Sequence, residues 1–270
     1  MALDKQTRVL VTGGGTFLGI HIASALLAEG AEVTLLLRDG NQDRLGILEQ
    51  QVRWHVADVW DAASLKGRAR GHGTVIHTVG SMVDDPAQGL TYQRLNVMSA
   101  RNAANMCVSD GVNHFVLMSA PRAPWINRQY VNAKREAESY VRRVGLKTSI
   151  IRAPLTYMRG TRRPIFYQMM SLLGSIPPIS WTPLSRIAPI PLDILARGVA
   201  RTALNPPSQT QILYARQLRR LTTRDDRQQG KRDIITVFDM PEAEQQTLPF
   251  ELLDEDTPFG WLPPSKSRED

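Results

Sequence analysis

Hydrophobic and polar residues follow two alternating patterns along the first 155 positions of the chain. Short apolar runs bounded by glycine or polar residues predict strands, and the segments between them, with apolar residues three or four positions apart, predict helices. Strands that alternate with helices favour an α/β fold with a doubly wound parallel sheet and a site at the carboxyl ends of the strands. The predicted strands are residues 8–11, 33–37, 52–58, 74–79, 114–119 and 148–152.

A cluster of glycine residues separates the first strand from the first helix, in the stretch RVLVTGGGTFLG. Gly13 allows a tight turn, Gly14 and Gly15 leave space for a pyrophosphate, and Gly19 allows the helix to pack closely. The N–H groups of the first helical turn then point at the phosphates, where the helix dipole favours negative charge. The cluster therefore predicts a dinucleotide site, and an ordinary strand-to-helix turn is the alternative.

The segment TGGGTFLG resembles the TGxxGxxG fingerprint of the short-chain dehydrogenase/reductase superfamily, and more closely the TGGxGFxG form of its extended and atypical branches. The resemblance extends over roughly residues 7–205 and implies a Rossmann fold that binds NAD(P). Thr16 stands where the family usually has its middle glycine, and its hydroxyl can donate to a phosphate. The loop residues implied to bind the cofactor are Gly13, Gly14, Gly15, Thr16, Phe17, Leu18 and Gly19.

The end of the second strand indicates which dinucleotide is bound. Arg38 follows three leucines, and Asp39 comes next. Arginine pairs with the 2′-phosphate of NADP through its planar fork, whereas an acidic residue holds the ribose 2′-hydroxyl of NAD. We therefore predict NADP(H). NAD(H) is the second choice, in which Asp39 binds the ribose and Arg38 lies on the surface.

Three later segments resemble parts of the family that contact the cofactor. Asp58-Val59 matches an acidic-plus-aliphatic pair that contacts the adenine ring, although Asp58 capping the next helix is an alternative. The segment HTVG at 77–80 resembles an HxAA segment beneath the cofactor, and RAPLTY at 152–157 resembles the RPxxVYG loop that closes over the nicotinamide. The implied cofactor-binding residues are Asp58, Val59, Thr78, Val79, Gly80 and Pro154.

Tyr130 and Lys134 lie four positions apart in a segment with a helical period, so both face one side of a helix. An ammonium close to a phenol favours the phenolate and lowers the tyrosine pKa towards a value useful for proton transfer near neutral pH. The pair resembles the YxxxK motif of the family, which implies that Tyr130 is the catalytic acid/base and that Lys134 also binds the nicotinamide ribose.

The resemblance implies two more catalytic residues. Asn96 lies in a predicted helix over residues 90–110, where the family has an asparagine that kinks the helix and supports a proton-relay water. The pair Ser119-Ala120 stands where the family usually has its hydroxyl at the second place of an SS or ST pair. Because side chains alternate along a strand, Ser119 is expected either to take part in catalysis or to face away from the substrate.

The pattern changes after the sixth strand, which divides the chain into three predicted segments. Residues 1–155 form the NAD(P)-binding core, residues 156–215 a small substrate lobe, and residues 216–270 an extended tail or linker. The lobe is rich in proline and bulky apolar residues flanked by arginines, which suits a hydrophobic substrate or a membrane surface; simple packing on the sheet is the alternative. The tail is predicted to dock on the domain or on a protein partner.

Composition restricts the remaining possibilities. The chain has 270 residues with 42% hydrophobic content, which is enough for one large α/β core. A single cysteine, Cys107, excludes an intramolecular disulfide, and His77 has no partner histidine, so no metal site is predicted. The single cysteine also fits a reducing compartment, cytoplasmic or organelle-matrix-like. The sequence has neither a signal-peptide pattern nor a run of about 20 apolar residues, so a protein that is not secreted is expected, with contact at a membrane periphery as a further possibility.

The net charge of +7 permits nucleic acid as a partner, and one atypical branch with a similar loop contains chloroplast RNA-binding proteins. The arginines are scattered, and no aromatic stacking platform is evident, so nucleic-acid binding is disfavoured. The sequence predicts an NADP(H)-binding oxidoreductase or epimerase-like enzyme on a small or hydrophobic substrate. The alternative is a non-catalytic NADP(H)-binding subunit of a membrane-associated complex, because the family includes an accessory subunit of respiratory complex I.

Overall fold

The computed structural model describes residues 7–124, 126–153, 156–157 and 189–223. The strands are β1 (Arg8–Thr12), β2 (Glu32–Leu37), β3 (Arg53–Val56), β4 (Thr74–His77), β5 (His114–Ser119), β6 (Lys147–Arg152), β7 (Thr156–Tyr157), β8 (Ile190–Pro191) and β9 (Gln211–Tyr214). The α-helices are α1 (Phe17–Ala28), α2 (Ala62–Leu65), α3 (Ser99–Asp110), α4 (Arg128–Arg143), α5 (Leu192–Leu204) and α6 (Ala215–Arg220). Short 3₁₀-helices cover Gln42–Gln50 and Pro86–Gln88, and a π-helix covers Gln93–Met98.

The large sheet has the strand order β3-β2-β1-β4-β5-β6-β9, and every neighbouring pair in it is parallel. The chain proceeds outward in one direction from β1 to β3 and in the other direction from β4 to β9. The order therefore reverses between β1 and β4, which is where doubly wound sheets bind their ligands. The predicted α/β fold with a doubly wound parallel sheet is confirmed.

Helices cover both faces of the sheet and make two apolar layers. In β2, Leu35 packs in the layer with α1 and α5, whereas the next residue, Leu36, packs in the layer with α2, α3 and α4. Both leucines have no exposed surface. Because both faces are buried, β2 is apolar at consecutive positions and does not alternate, as expected for a parallel strand.

The C-terminal part of the described chain differs from the sequence prediction. Residues 158–214 have an irregular pattern, yet β9 lies within this range and pairs with β6 as the seventh strand. The strand was missed because it is four residues long and every residue in it is partly exposed. Residues 216–220 belong to α6 and not to a linker, since the buried Leu218 packs on Gly198 of α5.

A second, two-stranded sheet joins the chain on either side of residues 158–188. In it, Thr156 pairs with Ile190 and Tyr157 pairs with Pro191. The arginines that flank the apolar part of the predicted lobe, Arg159, Arg162 and Arg163, and the tail from residue 224 onward lie outside the described residues. No helix in the described ranges is long and apolar enough to cross a membrane.

Candidate functional site

The turn between β1 and α1 is close-packed at two glycines. Gly13 has a φ of +72°, and a Cβ there would lie 2.6 Å from Thr78 Oγ1. A Cβ on Gly19 would overlap the carbonyl oxygen of Gly13, so the first turn of α1 touches the loop backbone. Both positions require glycine, the first for its conformation and the second for this close approach.

Gly14 and Gly15 bring the same loop close to the end of β2. A Cβ on Gly14 would lie 2.6 Å from the side chain of Leu35, and one on Gly15 would lie 2.9 Å from the Cβ of Asn41. The missing side chains therefore make room for protein atoms of β2 and of the turn that follows it. The sequence predicts instead that these two glycines make room for a pyrophosphate.

The start of α1 has the features of an anion-binding site. Thr16 is the N-cap, and its hydroxyl oxygen accepts from the N–H of Gly19 at 2.9 Å. The N–H groups of Gly15 and Leu18 donate to no other described residue, and the first turn carries no acidic side chain. Free amides at a positive helix end fit a diphosphate, so the loop residues suit the dinucleotide that the sequence predicts.

Two polar residues lie at the end of β2, beside this loop. Arg38 is half-buried, and within the described residues its guanidinium forms no ion pair. The next residue, Asp39, is exposed. The turn then folds back, with the N–H of Asn41 donating to the carbonyl of Arg38 at 3.2 Å.

The predicted adenine contact, Asp58-Val59, forms a tight turn after β3. Asp58 Oδ1 accepts from the N–H of Trp60 at 2.8 Å, and Val59 is fully buried. The alternative prediction, that Asp58 caps the next helix, is wrong. Asp61 is the N-cap of α2, accepting from the N–H groups of the second and third residues after it, because it stands directly before the helix.

The segment after β4 connects the glycine loop with the predicted catalytic residues. Thr78 Oγ1 donates to the carbonyl of Thr12 at 2.5 Å, and Val79 is fully buried. Gly80 has a φ of +154°, and a Cβ there would overlap both Lys134 Nζ and Asn96 Oδ1. Two of the predicted catalytic residues therefore meet at a position where only glycine leaves enough space.

Tyr130 and Lys134 lie on the buried face of α4. They are 4% and 5% exposed, and Lys134 Nζ is 5.8 Å from the centroid of the Tyr130 ring. The ammonium donates to the carbonyl of Met118 at 3.3 Å. Burial lowers the pKa of Lys134 to about 8, and the negative charge of Glu138 limits this fall. A buried cation beside a phenol is an arrangement that supports proton transfer.

Asn96 lies in the π-helix, as expected for an asparagine at a helix kink. Its Nδ2 donates to the carbonyls of Ser81 at 2.9 Å and Tyr92 at 3.3 Å, and its Oδ1 accepts from the N–H of Ser81 at 3.1 Å. The side chain thus binds both backbone groups of Ser81 and holds the segment after β4 beside Lys134.

Ser119 is directed towards a buried ionic cluster. Its hydroxyl donates to Glu138 Oε1 at 2.6 Å, and the same carboxylate accepts from Arg135 and from Arg152, the latter at 2.6 Å. Burial opposes ionisation of Glu138, but the hydrogen bonds from Arg152 and Ser119 and the charge of Arg135 outweigh it and keep its pKa below the ordinary value. Ala120, not Ser119, packs in one apolar cluster with Tyr130.

The residues that hold Ser119 were not predicted from the sequence. Glu138 lies four residues after Lys134 and therefore on the same side of α4. This spacing is the one feature of the sequence that could have indicated a role for Glu138 near Lys134. Arg152 comes from β6 and also donates to Tyr214 Oη of β9 at 2.8 Å. This partner lies 62 residues away in the chain, so no local pattern indicates it.

The two remaining predictions concern His77 and Pro154. His77 is fully buried with its Nδ1 2.9 Å from Thr12 Oγ1, and burial together with the charge of Lys134 lowers its pKa to about 3. The expectation that it packs inside the fold is confirmed. Pro154 lies outside the described residues. Among the residues that are described, no group of three or more His, Cys, Asp or Glu side chains is placed to bind a metal.

Comparison with known proteins also indicates an NAD(P)H-binding protein. The sequence family described as NAD(P)H-binding matches residues 13–170, more than half of the chain. Ceramide reductase of Caulobacter vibrioides is 31% identical over 205 residues, which cover 74% of this chain and 62% of that protein. Human sterol-4-alpha-carboxylate 3-dehydrogenase, decarboxylating, is 31% identical over 117 residues, 43% of this chain and 30% of that protein. The chain thus spans less than two thirds of the length of these relatives.

The same fold occurs among solved structures. The Bordetella bronchiseptica enzyme WbmH, solved in complex with NAD+, matches with a TM-score of 0.55 and 20% identity, covering 77% of this chain and 74% of that one. At this identity the match demonstrates the shared Rossmann fold. The family match over more than half of the chain establishes that the chain belongs to the NAD(P)H-binding family, and the structural match shows that it has the Rossmann fold.

Proposed function

We propose that this chain is an NADP(H)-dependent oxidoreductase that interconverts a hydroxyl and a carbonyl group on an apolar substrate. The observation that carries the proposal is the buried pair Tyr130 and Lys134, with Lys134 beside Gly80, two residues after the Thr78 that packs on Gly13 of the glycine loop. A buried lysine is costly, and such groups are concentrated at functional sites. Among the described residues, no carboxylate forms a salt bridge with Lys134, so no ion pair offsets the cost of burying its ammonium. This favours a chemical role for the lysine.

The bound nicotinamide supplies or accepts the hydride. In the direction of reduction, Tyr130 donates its phenolic proton to the substrate oxygen while the carbonyl carbon accepts the hydride, which gives an alcohol. The ammonium of Lys134 stabilises the phenolate that forms, because the two groups share a site from which water is largely excluded. Asn96 and Gly80 keep Lys134 in place from the side of β4.

Ser119 has no part in this mechanism. Its hydroxyl donates to Glu138, and Ala120 stands beside Tyr130 where a second hydroxyl would be expected. Tyr130 is therefore proposed to polarise the substrate oxygen without help from Ser119 or Ala120.

The surroundings of Tyr130 support an apolar substrate. The cluster that contains this tyrosine consists of small and apolar side chains, with Met82 packed against it. Val83 next to Met82 is 49% exposed, which places an apolar residue on the loop that follows β4. The buried members of the cluster are Tyr92, Val97, Ala120, Ala123, Ile126, Tyr130, Val131 and Ala133. The names of two relatives, a ceramide reductase and a sterol dehydrogenase, refer to apolar molecules as well.

Arg38 supports NADP(H) as the cofactor. Its guanidinium is half-buried at the end of β2 and forms no ion pair with a described residue, so it is available for a 2′-phosphate. The exposed Asp39 would be the ribose ligand if NAD(H) were preferred.

The test is turnover by the purified chain with NADPH and a panel of ketones, long-chain and sterol-like on one side and small and polar on the other. We expect reduction of the apolar ketones, and Tyr130→Phe is expected to lower kcat by about a thousandfold while the Kd for NADPH changes less than about twofold. A chain that binds NADPH tightly but turns over none of the panel supports the alternative, a non-catalytic subunit. Faster turnover of the polar ketones would contradict the substrate class.

A further inference from the structure

Tyr92 is a second buried tyrosine in the apolar cluster that contains Tyr130. It is 8% exposed, and the centroids of the two rings are 6.0 Å apart with their planes tilted by 54°. Aromatic rings at this separation and tilt attract each other. Tyr130 lies on α4, whereas Tyr92 directly precedes the π-helix Gln93–Met98. The orientation of the Tyr130 ring therefore depends on a residue from a separate element of the fold.

The hydroxyl of Tyr92 binds the loop that follows β4. Its Oη donates to the carbonyl of Met82 at 2.9 Å. Burial raises the pKa of Tyr92 to about 12, and the carboxylate of Asp84 in the same loop contributes to the rise. The hydroxyl thus keeps its proton across the physiological pH range. Tyr92 serves as a hydrogen-bond donor to the loop and not as an acid/base group.

Asn96 holds the same loop one residue earlier. It binds both backbone groups of Ser81, and its Nδ2 also donates to the carbonyl of Tyr92 at 3.3 Å. Two residues four positions apart thus fix the backbone of the consecutive residues Ser81 and Met82. Met82 packs against the apolar cluster, and Val83 after it is 49% exposed. The loop therefore presents these two apolar side chains from a fixed backbone.

We infer that Tyr92 is a positioning residue for the proposed reaction and that its ring and its hydroxyl have separate effects. The ring orients the phenol of Tyr130 towards the substrate oxygen, and the hydroxyl keeps Met82 and Val83 in place beside an apolar substrate. A misplacement of about 1 Å at a reacting group can cost a hundredfold in rate. The ring is therefore expected to act on kcat, and the hydroxyl on KM. This inference rests on the proposed oxidoreductase function.

The experiment is steady-state reduction, by the full chain with NADPH, of the apolar ketone that the wild type reduces best. Tyr92→Phe removes the hydroxyl alone, so we expect KM to rise about fivefold while kcat stays within about twofold. Tyr92→Leu and Tyr92→Met remove the aromatic ring, so kcat is expected to fall about a hundredfold. Calorimetric titration with NADPH reports whether each variant is folded, and its Kd should stay within about twofold of the wild type.

Tyr140 provides the matched controls. It lies on the same helix as Tyr130 but packs against a different apolar layer, and its hydroxyl donates to Asn105 Oδ1 at 2.6 Å. Tyr140→Phe and Tyr140→Leu remove a hydroxyl and a ring from this position. Both variants should keep kcat and KM within about twofold of the wild type, because neither group contacts the cluster around Tyr130.

The outcomes separate this inference from the proposed function. If the wild type reduces the ketone and the two ring variants keep its kcat, the inference fails and the proposed function stands. The same holds if Tyr92→Phe leaves KM unchanged, or loses as much kcat as the ring variants. Loss of NADPH binding in both ring variants makes Tyr92 a structural residue and also overturns the inference. A wild type that reduces no ketone overturns the inference together with the proposed activity.

Discussion

The glycine loop and the surroundings of Ser119 are built in opposite ways. The loop uses backbone amides and missing side chains, and the residues that supply them all lie within 13–19, although Thr78, Leu35 and Asn41 pack against three of its glycines. The position of the Ser119 hydroxyl depends on a carboxylate and two guanidinium groups, which come from α4 and β6. A site made of backbone leaves a local pattern in the sequence, whereas the direction of one hydroxyl follows from charges brought together by the fold.

The largest expected effect is on the ionic cluster. Glu138→Ala removes the carboxylate and leaves Arg135 and Arg152, which are 25% and 17% exposed, without their partner. Uncompensated charges at buried positions are costly, so we expect the free energy of unfolding to fall by about 3–5 kcal/mol. Denaturant unfolding measures this. The exposed Glu136→Ala on the same helix is the control, with an expected change within about 0.5 kcal/mol. An equal effect of both variants would show that the cluster is not what stabilises this region.

The next effect is on the loop. Gly19→Ala places a methyl group on the Gly13 carbonyl, so α1 must move away from the loop amides. We expect NADPH and NADH affinities to fall together, on the order of tenfold to a hundredfold, because both cofactors share the pyrophosphate. Titration of both cofactors checks this, with Ser24→Ala on the same helix as control. Unchanged affinity for both would contradict the close-packed loop as the basis of binding.

A third effect links the two regions through Lys134. Its pKa is lowered from 10.5 to about 8, so the ammonium is present below about pH 8 and is lost above it. Turnover in the direction of reduction is therefore expected to fall about tenfold per pH unit above this value. Glu138→Gln removes the negative charge that keeps this pKa from falling further, and the break in the pH profile should move to lower pH. A break at the same pH in both proteins would mean that the cluster and Lys134 do not interact.

The same pKa has a consequence for stability. The unfolded chain holds the proton up to about pH 10.5, whereas the folded chain releases it at about pH 8. The unfolded state therefore binds more protons between these values, and the contribution of Lys134 to the free energy of unfolding rises with pH across that window. Below about pH 8 the buried ammonium costs stability. Lys134→Met is expected to abolish this part of the pH dependence in denaturant unfolding.

The smallest expected effect distinguishes the structure from the family resemblance. Ser119→Ala should change turnover by less than about twofold, because the hydroxyl is already engaged in a hydrogen bond to Glu138. The loss of one hydrogen bond to a charged group should lower the free energy of unfolding by about 1.5–3 kcal/mol. Steady-state kinetics and unfolding of one preparation measure both. A large loss of turnover with unchanged stability would assign Ser119 to the catalytic group.

The sequence allowed most of the fold to be predicted, because buried parallel strands and amphipathic helices have distinct periods. Strand β5 was predicted with its observed bounds, and the sixth strand was correct to within one residue. Strand β9 was missed because four half-exposed residues carry little periodic signal. The need for glycine at position 80 has no local signal, because it comes from the side chains of Lys134 on α4 and Asn96 on the π-helix.

The pairing of β7 with β8 has a consequence for how the protein can change. It joins the chain side by side just before residue 158 and just after residue 188, while α5 continues directly into the core. Any exchange of the interval between these strands would therefore be joined to the rest of the chain at two neighbouring points. The large sheet and the Tyr130–Lys134 pair lie outside this interval, so such an exchange would leave their sequences unaltered.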